Sequence, residues 1–206
     1  TLVAGDTVLF RQGTYVVDVG VDPIRSGSPG QPITYANYEG EAVTFVGGSS
    51  TSIAVDLNSD YGTVRSHIIV QGLVFRDFYM HLWILKGSHN EIAHCVFQGT
   101  YERADNAVSW RGSTVYRNAQ HNHIHHNVFS DYGNFHNNED NGVIFELGNE
   151  NVSDDETSYN LIEYNEFSHG GHHVAGFGGS HNVIRYNYFH NEAWWPTNDP
   201  TYGNRV

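Results

Sequence analysis

The chain has 206 residues, with 10 Lys and Arg against 23 Asp and Glu, for a formal net charge of −13. That balance excludes a nucleic-acid surface, which needs a basic face to meet phosphates. No run of 18 apolar residues is present to cross a membrane as a helix.

From the N-terminus, Leu2-Val3-Ala4-Gly5-Asp6-Thr7-Val8-Leu9-Phe10-Arg11-Gln12-Gly13-Thr14-Tyr15 reads as strand between Gly-Asp and Gly-Thr turns. A second strand, Pro32-Ile33-Thr34-Tyr35, runs on to Gly40. Next come five versions of one phrase, beginning with His67-Ile68-Ile69-Val70 and ending at Phe75. In the other four, an Asn precedes Ile by two residues and Phe by seven: Asn90, Ile92 and Phe97; Asn122, Ile124 and Phe129; Asn160, Ile162 and Phe167; Asn182, Ile184 and Phe189. The Asn positions step by 32, 38 and 22, so a 22-residue unit carries insertions of 10 and 16 residues in two copies.

A repeat of about 22 residues holds three short strands and three turns, one coil of a parallel β-helix. Stacking coils places the Ile and Phe residues in inward columns. Asn90, Asn122, Asn160 and Asn182 form a ladder that bonds the backbone of neighbouring turns, and Asn127, Asn165 and Asn187 form another. Cys95 falls in that second column and reads as a small buried hydrophobe. The same bookkeeping assigns His67, His89, His121 and His181 to one turn column and His94 and His126 to another. The tract His121, His123, His125 and His126 then reads as stacked turn residues before it reads as a metal site. The expected fold is all-β, a single parallel β-helix domain over residues 1–206. From Asn182 the next unit would start at Asn204, so the chain reads as a piece of a longer β-helix or as one whose ends abut another chain.

Insertions on a solenoid cluster on one face and build its binding site. The first lies between Gly99 and Gln120 and the second between Asp131 and Ser158. The second carries Glu139, Asp140, Glu146, Glu150, Asp154, Asp155 and Glu156 without a Lys or Arg. A solvated loop and a Ca²⁺ site are the two readings of that run. Asp105-Asn106-Ala107-Val108 matches Asp140-Asn141-Gly142-Val143, and Gly171-His172-His173-Val174 holds the equivalent place one coil on. With the valines inward, Ile144, Glu146, Ser109 and Arg111 face outward. Asp105, Arg111, Asp140, Glu146 and His172 then crowd one face, as an acid–base set or as a salt-bridge network. His169, His172 and His173 are further metal or general-base candidates. Trp83, Trp110, Trp194 and Trp195 exceed what a core needs and offer flat faces to sugar rings.

The N-terminal Gly-Asp-Thr, Gly-Thr-Tyr and Pro-Ile-Thr elements, with the Asn-x-Ile repeats, closely resemble the pectate-lyase-like β-helix superfamily over nearly the whole chain. The resemblance implies a right-handed coil. Lys86-Gly87-Ser88-His89-Asn90 is similar to the Lys-Ser turn of polysaccharide lyases resembling alginate lyase and chondroitinase B. In those enzymes a Lys base and an Arg from an Arg-His-Gly turn sit on neighbouring coils, often with Ca²⁺. Counted back from Gly87 and Gly112, Lys86 and Arg111 share a column here. The resulting expectation is an extracellular carbohydrate-active protein, a polysaccharide lyase or glycoside hydrolase acting on an extended polysaccharide. The competing reading is a non-catalytic solenoid: an adhesin, a carbohydrate-binding module, or a fibre subunit that associates end to end.

Overall fold

The computed structural model describes residues 1–49, 51–58, 65–99, 111–132, 143–148, 156–170 and 175–190; for residues 111, 112, 114, 116, 132, 143 and 170 it describes the backbone alone. The first coil is β1 (Thr7–Phe10), β2 (Gly13–Val17) and β3 (Val19–Val21), and the second is β4 (Ile33–Asn37), β5 (Val43–Gly47) and β6 (Ile53–Asn58). The third is β7 (Ile68–Gln71), β8 (Val74–Arg76) and β9 (Met80–Leu85); the fourth is β10 (Glu91–Ala93), β11 (Val96–Gln98) and β12 (Arg111–Tyr116). Then follow β13 (His123–His125), β14 (Val128–Tyr132) and β15 (Val143–Leu147), and β16 (Leu161–Glu163), β17 (Glu166–Gly170) and β18 (Ala175–Phe177). β19 (Val183–Arg185) and β20 (Tyr188–His190) open the seventh coil. The first strands of successive coils make one sheet, the second strands another and the third strands a third, with every strand pair parallel. No helix occurs among the described residues.

The expected columns are present. Val70, Ile92, Ile124, Ile162 and Ile184 are in register along the first sheet. The Phe rings of the second sheet stack: Phe75 on Phe97 at 5.1 Å, Phe97 on Phe129 at 4.8 Å, Phe129 on Phe167 at 5.1 Å, and Phe167 on Phe189 at 5.0 Å. Each such ring buries a large apolar area, and a chain of them supplies much of the driving force for stacking coil on coil.

Both Asn ladders form. Asn122 Oδ1 accepts the Asn90 backbone N–H at 3.0 Å, and its Nδ2 donates to the Gly87 carbonyl at 3.0 Å. The same pair of bonds recurs one coil later, from the Asn122 N–H to Asn160 Oδ1 and from Asn160 Nδ2 to the Ala119 carbonyl. In the second ladder Asn127 Oδ1 accepts the Cys95 N–H at 2.9 Å and Asn165 Oδ1 accepts that of Asn127 at 3.0 Å. Without these side chains, buried peptide groups at the turns would have no partner, at about 1–3 kcal/mol each. Cys95 is buried and free, and burial pushes its thiol up to about 12, so it stays protonated and inert.

The residue before each Asn takes left-handed backbone, as does His67 at the same place before Ile68: His67, His89, His121, Tyr159 and His181 all lie near φ 55–58°. Their rings stack at about 5 Å, His67 on His89 and His89 on His121 with interplanar angles of 2°. These histidines are turn residues, as their repeat position implies.

Candidate active site

The outward line of the third sheet is where the repeat breaks down. Asp56, Trp83, Thr114 and Glu146 are successive Cα partners along it. Asp22 pairs with Arg65 at 3.4 Å near its start. Partial burial raises the Asp56 carboxyl above the usual carboxylate range; the Asn58 N–H opposes that shift and the charge of Asp22 adds to it. Trp83 is half-buried, keeping part of its ring at the surface.

At the end of this sheet the chain turns into the first sheet, and there Lys86 stands exposed with φ 59°. Gly87 keeps that turn against the preceding coil. A Cβ at Gly87 would come within 2.6 Å of the Arg65 carbonyl and 2.9 Å of Asn90 Nδ2. The register of β9 against β12 pairs Leu82 with Ser113, Trp83 with Thr114, Ile84 with Val115 and Leu85 with Tyr116. The next pair in line is Lys86 and Arg117. Arg117 is exposed and, like Lys86, has left-handed backbone, with φ 53°. Two turn residues in line on adjacent coils are separated by about 4.8 Å of backbone, the spacing between neighbouring strands.

The expected column of Lys86 and Arg111 is therefore corrected. Arg111 opens β12 and pairs onward with Val143; continued backward, the β9 register sets it beside Met80, six residues from Lys86 and about 20 Å along the strand at ~3.3 Å per residue. The alignment of Val108 with Val143 fails for the same reason, since Val143 faces Arg111, three residues later. Ile144, expected outward, is fully buried in the core. Glu146 does lie on the outward line, beside Thr114 rather than Arg111.

Arg117 was missed because the turn after β12 is one residue longer than the turn after β9. Lys86 lies four residues before Asn90, whereas four residues before Asn122 is Asn118, itself in left-handed backbone at φ 66°. Counting back from the Asn ladder lands on Asn118, one residue past the arginine.

Asp105, Trp110, Asp140, His172, His173, Trp194 and Trp195 lie outside the described residues. His169 is at the opposite end of the second sheet's strand β17, with Nδ1 3.7 Å from Asp131 Oδ1. His81 is fully buried, its ring 5.8 Å from that of Phe97, and burial drives its pKa down to about 3. It is a neutral core residue. The oxygen donors needed for Ca²⁺ are not gathered among the described residues. Asp56 and Glu146 are three coils apart, about 14 Å, far beyond ligand distances of about 2.3–2.6 Å.

A lysine and an arginine in line at the turns that follow two neighbouring strands suit an anionic sugar. The arginine can neutralise a carboxylate while the amine reaches the adjacent carbon. The chain is 40% identical over 80 residues to an uncharacterized protein, YwoF, of Bacillus subtilis (strain 168); the match covers 36% of this chain and 15% of that protein. The family model for chondroitinase B matches residues 1–195. The chain therefore belongs to the chondroitinase B family, right-handed parallel β-helix proteins of polysaccharide lyase type.

Proposed function

We propose that this protein is an extracellular polysaccharide lyase that cleaves a uronate-containing polymer by β-elimination, with Lys86 and Arg117 as its central pair. The observation that carries this reading is the β9–β12 register, which puts those two residues in line at one turn. Arg117 pairs with the uronate carboxylate and stabilises the negative charge that develops as the neighbouring C–H is broken. The Lys86 amine takes that proton from the carbon α to the carboxyl. The electron pair left behind forms a C=C bond as the glycosidic C–O bond at the β carbon breaks. The leaving oxygen recovers a proton from the Lys86 ammonium, so the products are an unsaturated uronate end and a free hydroxyl. Trp83 offers an apolar face for the C–H side of a neighbouring sugar.

The test is a panel of uronate polymers spanning glycosaminoglycans, alginate and pectate, read by ultraviolet absorbance of the unsaturated product. Appearance of that chromophore, and its loss in Lys86→Ala, is the expected result. Reducing ends released without the chromophore would overturn the elimination in favour of hydrolysis.

A further inference from the structure

The outward face of the first sheet holds a cluster that the polysaccharide chemistry does not use. His123 and His125 of β13 both lie on it, facing Glu91 and Ala93 of the coil before and Leu161 and Glu163 of the coil after. Neither continues a histidine column, so the repeat does not explain them. Beyond β10 and β13, the turn residues His94 and His126 stack at 5.0 Å, and His126 stacks on Tyr164 at 5.0 Å.

His94, His125 and His126 each offer a ring nitrogen, and all three nitrogens lie within 4.8 Å of one another. His125 Nδ1 is 2.9 Å from His126 Nδ1. His125 Nε2 is 3.2 Å from Glu91 Oε1, an acceptor-only carboxylate oxygen, so Nε2 carries the proton and Nδ1 presents a lone pair toward His126. A carboxylate on one imidazole nitrogen with the other nitrogen free to ligate is the arrangement that orients metal-bound histidines. We propose that His94, His125 and His126 form a site for a divalent transition-metal ion of the zinc class, with Glu91 holding the His125 ring.

The distances favour that assignment. Two imidazole nitrogens at about 2.0–2.1 Å from a tetrahedral ion are roughly 3.3 Å apart, so His125 and His126 need to separate by only ~0.4 Å. His94 moves in by ~1.5 Å, a side-chain rotation for an exposed ring. In the metal-free protein the proton between the two Nδ1 atoms sits on His126; on binding, His126 carries it on Nε2 instead. Three imidazoles suit Zn²⁺, Ni²⁺ or Cu²⁺ and do not suit Ca²⁺, which takes oxygen. His123, whose ring centroid is 4.0 Å from that of His125, has its Nε2 engaged elsewhere: it is 3.0 Å from Glu163 Oε1, and Arg185 Nε bonds the other oxygen of Glu163 at 2.7 Å. Because His94 comes from one coil and His125 and His126 from the next, a bound ion ties two coils together.

The experiment is calorimetric titration of the chelator-stripped 206-residue chain with Zn²⁺, paralleled by the ligand-field spectrum of Co²⁺ and by thermal melting. One equivalent of Zn²⁺, a tetrahedral Co²⁺ spectrum and a melting temperature that rises with Zn²⁺ are expected. His125→Ala abolishes the spectrum, and Glu91→Gln weakens binding by about 10-fold or more. His94→Asn and His126→Asn weaken it while keeping a residue that tolerates the left-handed turn. His123→Ala leaves binding unchanged, and far-ultraviolet circular dichroism confirms that each variant is folded. The proposal is overturned if Zn²⁺ does not bind, if binding survives in folded His125→Ala, or if it is lost in His123→Ala or His89→Asn and kept in His94→Asn.

Discussion

Along the second sheet, each step of one coil gives the same residue, Phe75, Phe97, Phe129 and Phe167, whereas along the outward line of the third sheet the same step gives Asp56, Trp83, Thr114 and Glu146. The first line answers a single demand, that each coil fit the next, and one solution repeated satisfies it. The second line is free of that demand and differs at every coil. Uniform columns in a solenoid mark the scaffold; columns that change at every coil mark the surfaces on which chemistry is built.

A series of substitutions can break or sharpen this contrast. The largest effect is expected on the irregular side. Arg117→Ala should lower turnover of a uronate polymer by about 10²–10³-fold, the cost of removing one stabiliser of developing charge, with the denaturant midpoint unchanged. Arg111→Ala, at the far end of β12, should leave turnover near wild type; equal losses in both would contradict the register argument. On the regular side, Phe129→Ala should cost about 3–5 kcal/mol by chemical denaturation. Phe189→Ala should cost much less, because Phe189 is already 41% exposed. Asn122→Ala removes the acceptor for the Asn90 N–H and the donor to the Gly87 carbonyl, for about 2–4 kcal/mol in the same assay.

A further effect is graded with pH. His81 is neutral in the fold down to about pH 3, while the unfolded chain takes up that proton near the ordinary value of 6.5. Below pH 6.5 the unfolded state binds the extra proton, so stability falls as pH falls, by about 1.4 kcal/mol per unit, until the folded His81 also titrates. His81→Leu should flatten that portion of the stability profile between pH 6.5 and 3. An unchanged slope would place the acid sensitivity on another group.

The scaffold was readable because its rule is local and repeated. The spacing of Asn90, Asn122, Asn160 and Asn182 sets coil length, and the Ile and Phe at fixed offsets set the inward faces. The site was less readable because it sits where that spacing changes. One added residue, Asn118 in left-handed backbone, displaces Arg117 from the count that finds Lys86, and no periodicity reports an insertion inside a turn. His123 and His125 were absorbed into the turn-histidine pattern by their neighbours His121 and His126. Only the pairing of β10 with β13 separates strand residues from turn residues in that tract.

The asparagine bonds also have a direction. Asn122 serves Asn90 and Gly87, Asn160 serves Asn122 and Ala119, and Asn182 serves Asn160 and the Thr157 carbonyl, each attending to the coil before its own. A coil is thus finished only by the arrival of its successor. A chain synthesised from its N-terminus adds each coil onto a completed template and always carries one open turn at its growing end. Growth of the solenoid is vectorial, and an error in any one coil is felt first in the coil that came before it.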